Sequence, residues 1–221
     1  MSRIFALLTL FWAAGAVPAH AQLPFVPEFD RPRWGFGLAM GPNVPAGAAG
    51  FNDTSKLGFG VGISAQRFLM PGWAIGLELN QSAFAGVPSP PILPVDGTFR
   101  IVGAKFLGVH FTTRFNLIMN SNWSPYIGAG IGLASGTSNV LTGTDIGNQL
   151  DVVDSQGASL SVRLGVERFN TNGLSFFSEI RYIQYRLDAQ SAGPGIGAIA
   201  LGGVHVTVGV RLWKEIKEKR R

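Results

Sequence analysis

Leu107-Gly108-Val109-His110-Phe111-Thr112-Thr113-Arg114-Phe115-Asn116 has a period of two. Leu107, Val109, Phe111, Thr113 and Phe115 share one face, against Gly108, His110, Thr112, Arg114 and Asn116 on the other. This is the pattern of a β-strand with one apolar face and one polar or small face. Four more segments repeat it. Leu57, Phe59, Val61, Ile63 and Ala65 oppose Gly58, Gly60, Gly62, Ser64 and Gln66, and Trp73, Ile75, Leu77 and Leu79 oppose Ala74, Gly76, Glu78 and Asn80. Further on, Leu160, Val162, Leu164 and Val166 oppose Ser159, Ser161, Arg163, Gly165 and Glu167, and Val204 to Leu212 oppose Gly203 to Arg211. Less regular strands near 33–41, 125–134 and 174–188 bring the total to eight. No long helical pattern follows residue 21.

The connections alternate in length. Met70-Pro71-Gly72, Thr171-Asn172-Gly173 and Asn120 to Ser124 read as tight links, the first two with hairpin turn chemistry. Longer loops are expected at about 42–56, 85–98, 135–156 and 189–198. Short turns at one end, long loops at the other and an even strand count make an all-β, eight-stranded antiparallel up-and-down transmembrane barrel. Both termini then lie at the short-turn end.

Composition decides which face looks outward. A soluble eight-stranded carrier of the lipocalin kind would also alternate, with its apolar face inside and a surface dense in Lys and Glu. Here the second face is Gly, Ser, Thr and Ala, and Lys105 is the only lysine between residues 57 and 213. Charged residues are 14% of the 221, against about 25% in ordinary soluble domains. Small residues suit the inside of a narrow barrel, so the bulky apolar face is expected to meet lipid. The absence of cysteine removes disulfide scaffolds, zinc ribbons, iron–sulfur clusters and thiol nucleophiles. No cofactor box or metal set is visible.

Residues 1–21 read as a cleaved secretory signal: Arg3, the apolar run Ile4 to Val17, then Ala19-His20-Ala21 before Gln22. Residues 22–32 read as an extended lead-in, 33–213 as the barrel and 214–221 as a basic periplasmic tail. That tail holds five basic and two acidic residues. The pI of about 10.0 mostly describes it, and no basic stripe suggests a nucleic-acid partner.

With the small face inward, Glu78, Arg114, Arg163, Glu167 and Arg211, with Glu179 and Arg181, form an expected charge network in the lumen beside His110 and His205. Buried charges must be paired, since each unpaired one costs several kcal/mol. Trp34, Phe68, Trp73, Trp123, Tyr126, Phe169 and Trp213 cluster at the short-turn ends. They are expected to form an aromatic girdle at the membrane interface.

At this point the chain resembles the small outer-membrane β-barrels of the OmpA/OmpX type from Gram-negative bacteria. The resemblance rests on the architecture of 33–213, on Ser124-Pro125-Tyr126-Ile127-Gly128-Ala129-Gly130-Ile131-Gly132 and on the closing Val208-Gly209-Val210-Arg211-Leu212-Trp213. It implies outer-membrane lipid and lipopolysaccharide as surroundings, and the barrel-assembly machinery as the reader of the closing strand. Eight mostly charged residues follow Trp213, a departure from the usual ending. The implied role is non-enzymatic: envelope integrity, or surface binding and adhesion to an unknown extracellular ligand through the loops. Two alternatives stay open. One is a narrow gated pore in which the lumen pairs rearrange. The other is a lipid A deacylase, since some such barrels carry a His-x-Ser pair and this chain has His110-Phe111-Thr112 and His205-Val206-Thr207. The loops add a stiff apolar stretch around Pro88, Pro90, Pro91 and Pro94, and three acids, Asp145, Asp151 and Asp154, whose spacing fits no EF-hand.

Overall fold

The computed structural model describes residues 33–47, 51–70, 72–86, 99–117, 122–144, 147–170, 173–189 and 199–215. The signal segment, the lead-in, the four loop prolines, Asp145 and the tail beyond Glu215 lie outside the described residues. Eight strands follow in order: β1 (Arg33–Gly47), β2 (Gly58–Met70), β3 (Trp73–Phe84), β4 (Phe99–Asn116), β5 (Trp123–Thr144), β6 (Gly147–Phe169), β7 (Leu174–Ala189) and β8 (Ile199–Glu215). A short helix, α1 (Phe51–Thr54), interrupts the β1–β2 connection.

Each strand pairs antiparallel with its neighbours in sequence, and β1 closes on β8 from Arg33–Glu215 to Gly47–Leu201. The sheet therefore has no free edge, which is how a β-structure satisfies its backbone groups in lipid. Gly72 and Gly173 stand at φ 79° and 80° just before β3 and β7. L-residues resist that conformation, so glycine sets both tight turns. A third positive φ, 82° at Gly103, marks a bulge where the β4–β5 register shifts between Ile101 and Ala104.

The two faces divide as the alternation requires. Phe36, Leu38, Ile63, Leu77, Phe111, Leu133 and Leu164 stand outward and exposed, whereas Glu78, His110, Thr112, Arg114, Ser161 and Arg163 are buried inside. An exposed apolar belt this continuous is a lipid-facing surface, far beyond the patches a soluble protein tolerates. Among the described residues, no helix is long and apolar enough to cross a membrane.

Three boundaries are corrected. The expected 135–156 loop is mostly strand: β5 runs to Thr144 and β6 restarts at Gly147, paired from Thr144–Gly147 down to Trp123–Arg168. The strand that carries the alternating run from Leu107 extends back to Phe99, beyond the Gly103 bulge. Within 42–56, β1 continues to Gly47 and α1 follows.

The sealed lumen as candidate functional site

Inward side chains of β3 to β8 build two ionic clusters, one above the other. In the lower, nearer the short turns, the fully buried carboxylate of Glu167 (β6) meets Arg114 (β4) at 2.5 Å and Arg211 (β8) at 2.6 Å. It also accepts hydrogen bonds from the Ser175 hydroxyl and from Trp213 Nε1, the latter at 3.0 Å. Arg114 Nε donates to Asn116 Oδ1 at 3.0 Å, and Asn116 in turn donates to Ser124.

In the upper cluster Arg181 (β7) and Arg163 (β6) share Glu78 (β3), with Arg163 Nη1 at 2.9 Å from Glu78 Oε2. Arg181 also holds Glu179 at 2.5 Å, and Arg163 lies 3.6 Å from the same carboxylate. Tyr126 donates its hydroxyl to Glu179 at 3.0 Å and so links the two levels. All seven charges expected in the lumen are thus brought together.

Apolar groups close both ends of this ionic column. At the short-turn end Trp213 packs on Phe68 at 4.8 Å and on Phe169 at 6.2 Å between ring centres. Arg114 lies over the Tyr126 ring at 4.4 Å, and Arg211 over Phe177 at the same distance. Cation–π contact adds up to about 2 kcal/mol where both partners are desolvated. At the long-loop end Phe84 meets Phe51 at 5.3 Å and Phe106 at 6.3 Å, Phe106 stacks on Tyr185 at 4.6 Å, and Ile101, Ile183 and Leu201 fill the gaps. Helix α1 delivers Phe51 to this plug, and Thr54 Oγ1 pins it by donating to the Ile101 carbonyl at 2.5 Å.

The expected girdle is corrected by this arrangement. Trp34 and Trp123 are exposed and Trp73 is half-buried, but Phe68, Tyr126, Phe169 and Trp213 point into the lumen. The alternation already carried that signal. Phe68 continues the parity of Gln66, Phe169 that of Glu167, Trp213 that of Arg211 and Tyr126 that of Gly128. On the outside the girdle pairs aromatics with basic groups: Arg67 lies over Trp34 at 5.8 Å and Arg168 over Trp123 at 5.4 Å. Trp73 stacks on Phe115 at 5.8 Å.

No protein-family model matches this chain, and no curated protein matches it. Solved structures do. Neisserial surface protein A superposes with a TM-score of 0.53 at 16% identity, over 81% of this chain and 96% of the other. OprG from Pseudomonas aeruginosa gives 0.49 at 14% identity, over 84% and 97%. The outer membrane protein AlkL gives 0.49 at 12%, over 93% and 98%. The chain has the fold of the small eight-stranded outer-membrane barrels.

The two His-x-Thr pairs point inward, as their parity requires. His110 does not use Thr112. Its ring nitrogens contact Asn80 at 2.8 Å and Ser159 at 2.7 Å. Sequence spacing gave no hint of this trio, since β3, β4 and β6 each supply one member. It has the connectivity of an orienter, a base and a nucleophile. Its environment is a packed wall, however: a Cβ on Gly108 would meet the imidazole at 2.9 Å, and so would one on Gly132. Asn80 and Ser159 occupy both ring nitrogens, which ties His110 into the wall. Asp151 and Asp154 sit exposed near the tip of the β5–β6 hairpin, and no metal-binding cluster occurs among the described residues.

Proposed function

We propose that this chain is a non-enzymatic outer-membrane protein whose working surface is the long-connection end of the barrel, above all the β5–β6 hairpin. One observation carries the reading: the walls are of unequal height around a lumen sealed at both ends. At ~3.3 Å per residue and ~40° of tilt, the 12 residues of β3 rise about 30 Å, close to the ~25 Å apolar band of such barrels. The 22 residues of β5 and 23 of β6 rise about 55 Å on the same arithmetic. Roughly half of that hairpin therefore stands clear of the lipid. Its outward positions there are mixed, with Ser135, Thr137, Asn139, Asp154 and Gln156 exposed and Leu150 and Val152 exposed beside them nearer the tip.

A closed lumen disfavours the pore, and the crowded His110 trio disfavours the deacylase. Surface binding or adhesion, with a contribution to envelope integrity, remains for a rigid blade held above the membrane. Outer-membrane lipid and lipopolysaccharide surround the belt, an extracellular ligand meets the blade, and the barrel-assembly machinery reads β8. Export through cleavage of residues 1–21 completes the reading.

The test is to replace residues 138–153 by a two-residue Asn-Gly turn between Thr137 and Asp154, which are paired in the ladder. Heat-modifiable gel migration should survive while binding of the cells to matrix and to host-cell surfaces falls. Unchanged binding with the shortened hairpin would overturn the proposal.

A further inference from the structure

Beside the upper ionic cluster, against β2, lies a cavity of about 30 Å³ lined by Glu78, Arg163, Arg181, His205, Thr207 and Arg211, more than the roughly 10–15 Å³ that a single water needs. It exists because β2 presents Gly60 and Gly62 to the lumen. At Gly62 an added Cβ would make only ordinary contacts, 3.4 Å or longer, so nothing in the local backbone demands glycine there. The missing side chain leaves room.

Charge and hydrogen bonding around this space are both out of balance. The lumen buries four guanidiniums, Arg114, Arg163, Arg181 and Arg211, against three carboxylates, Glu78, Glu167 and Glu179. Among the described residues one positive charge is therefore uncompensated in a medium where charge is expensive to bury, and it falls on the Arg114 and Arg211 pair that shares Glu167, of which Arg211 reaches the cavity. Both oxygens of Glu78 are already engaged by Arg163 and Arg181. Meanwhile Arg163 Nε and Nη2, Arg211 Nε, Thr207 Oγ1 and His205 Nε2 have no hydrogen-bond partner. Each belongs to a residue more than nine-tenths buried that lines the cavity.

We propose that this cavity is a binding site for one small monovalent anion of halide size, physiologically chloride. Water would satisfy the hydroxyl and the imidazole but leave the charge. A halide accepts from arginine and threonine donors together and brings the lumen to neutrality. Sulfate or doubly charged phosphate would overshoot the single unbalanced charge. The ion is structural cargo of the sealed barrel, held where the two ionic levels meet, and it is distinct from the surface function proposed above.

The experiment uses the full chain folded in detergent and crystallised in sodium bromide. An anomalous difference map should show one bromide in contact with Thr207 Oγ1 and an arginine nitrogen. Crystals of Thr207→Val, which removes the donor, and of Gly62→Leu, which fills the space, grown in the same salt should lose that signal. Ordered water with no anomalous signal at this position would overturn the site. So would a bromide peak that persists in both variants, and neither result depends on the β5–β6 hairpin.

Discussion

The indole nitrogen of Trp213 donates to the carboxylate of Glu167 at 3.0 Å, from β8 across the lumen to β6. This bond, together with Arg114 and Arg211 over the Trp213 ring, joins the apolar plug at the short-turn end to the ionic column above it. It explains why an aromatic residue at a strand end faces inward here rather than toward lipid. Glu167 holds two arginines in place, and Trp213 covers all three from water.

Removing the carboxylate should therefore be costly. Glu167→Ala leaves Arg114 and Arg211 buried with no counter-charge, and breaking such a set typically costs about 3–5 kcal/mol. Urea unfolding of the barrel in lipid vesicles should show the midpoint fall accordingly. The same substitution combined with Arg114→Met and Arg211→Met should recover part of the loss, because the uncompensated charges go too.

The tryptophans should sort by face. In variants retaining one tryptophan each, Trp34 and Trp123 should be quenched by brominated phospholipid, and Trp213 should not. Trp213→Ala should also destabilise by about 3–5 kcal/mol through the cavity it leaves beside Phe68 and Phe169. Equal quenching at all three positions would return Trp213 to the membrane girdle.

Much of the fold was legible because lipid makes the outside apolar while a narrow lumen admits small or paired polar groups. The period of two then survives in segments such as 57–66 and 107–116. It fades where the physics changes. Above the membrane no lipid selects for outward apolar residues, so Ser135, Thr137 and Asn139 on β5 read as loop although they are strand. At Gly103 the bulge shifts the phase, and Ile101 and Val102 drop out of the pattern of β4. Of the seven strand-end aromatics, Trp34, Trp73 and Trp123 face outward, whereas Phe68, Tyr126, Phe169 and Trp213 follow the inward parity of their strands, which outweighs the preference of aromatics for an interface. The Ser159–His110–Asn80 trio had no sequence signal, because strands far apart in the chain bring it together.

Chemistry at Ser159 should be absent. A fluorophosphonate probe reacts with an activated serine, and the folded barrel should remain unlabelled by mass spectrometry. Labelling at Ser159 would mean that the wall around His110 opens and would restore the enzyme reading.

Charge on the lipid face should be penalised by depth. Phe111→Arg, facing outward on β4, should cost about 2–4 kcal/mol if it lies near the bilayer midplane. Asn139→Arg, on the part of β5 above the belt, should cost little. Unfolding free energies of the two variants in the same vesicles check the contrast.

The central claim is an inside-out barrel whose interior is closed to bulk water, and the chain's lack of cysteine makes it directly testable by spin labels at single introduced cysteines. Labels placed one at a time from 107 to 116 in lipid bilayers would be read for collision with oxygen and with a water-soluble nickel reagent. The predicted result is high oxygen access at Leu107, Val109, Phe111 and Phe115, with neither reagent reaching Gly108, His110, Thr112 or Arg114. Nickel access at the even positions would reveal an open aqueous lumen, and oxygen access there with protection at the odd ones would turn the apolar face inward. Either result would contradict the structure's central assignment.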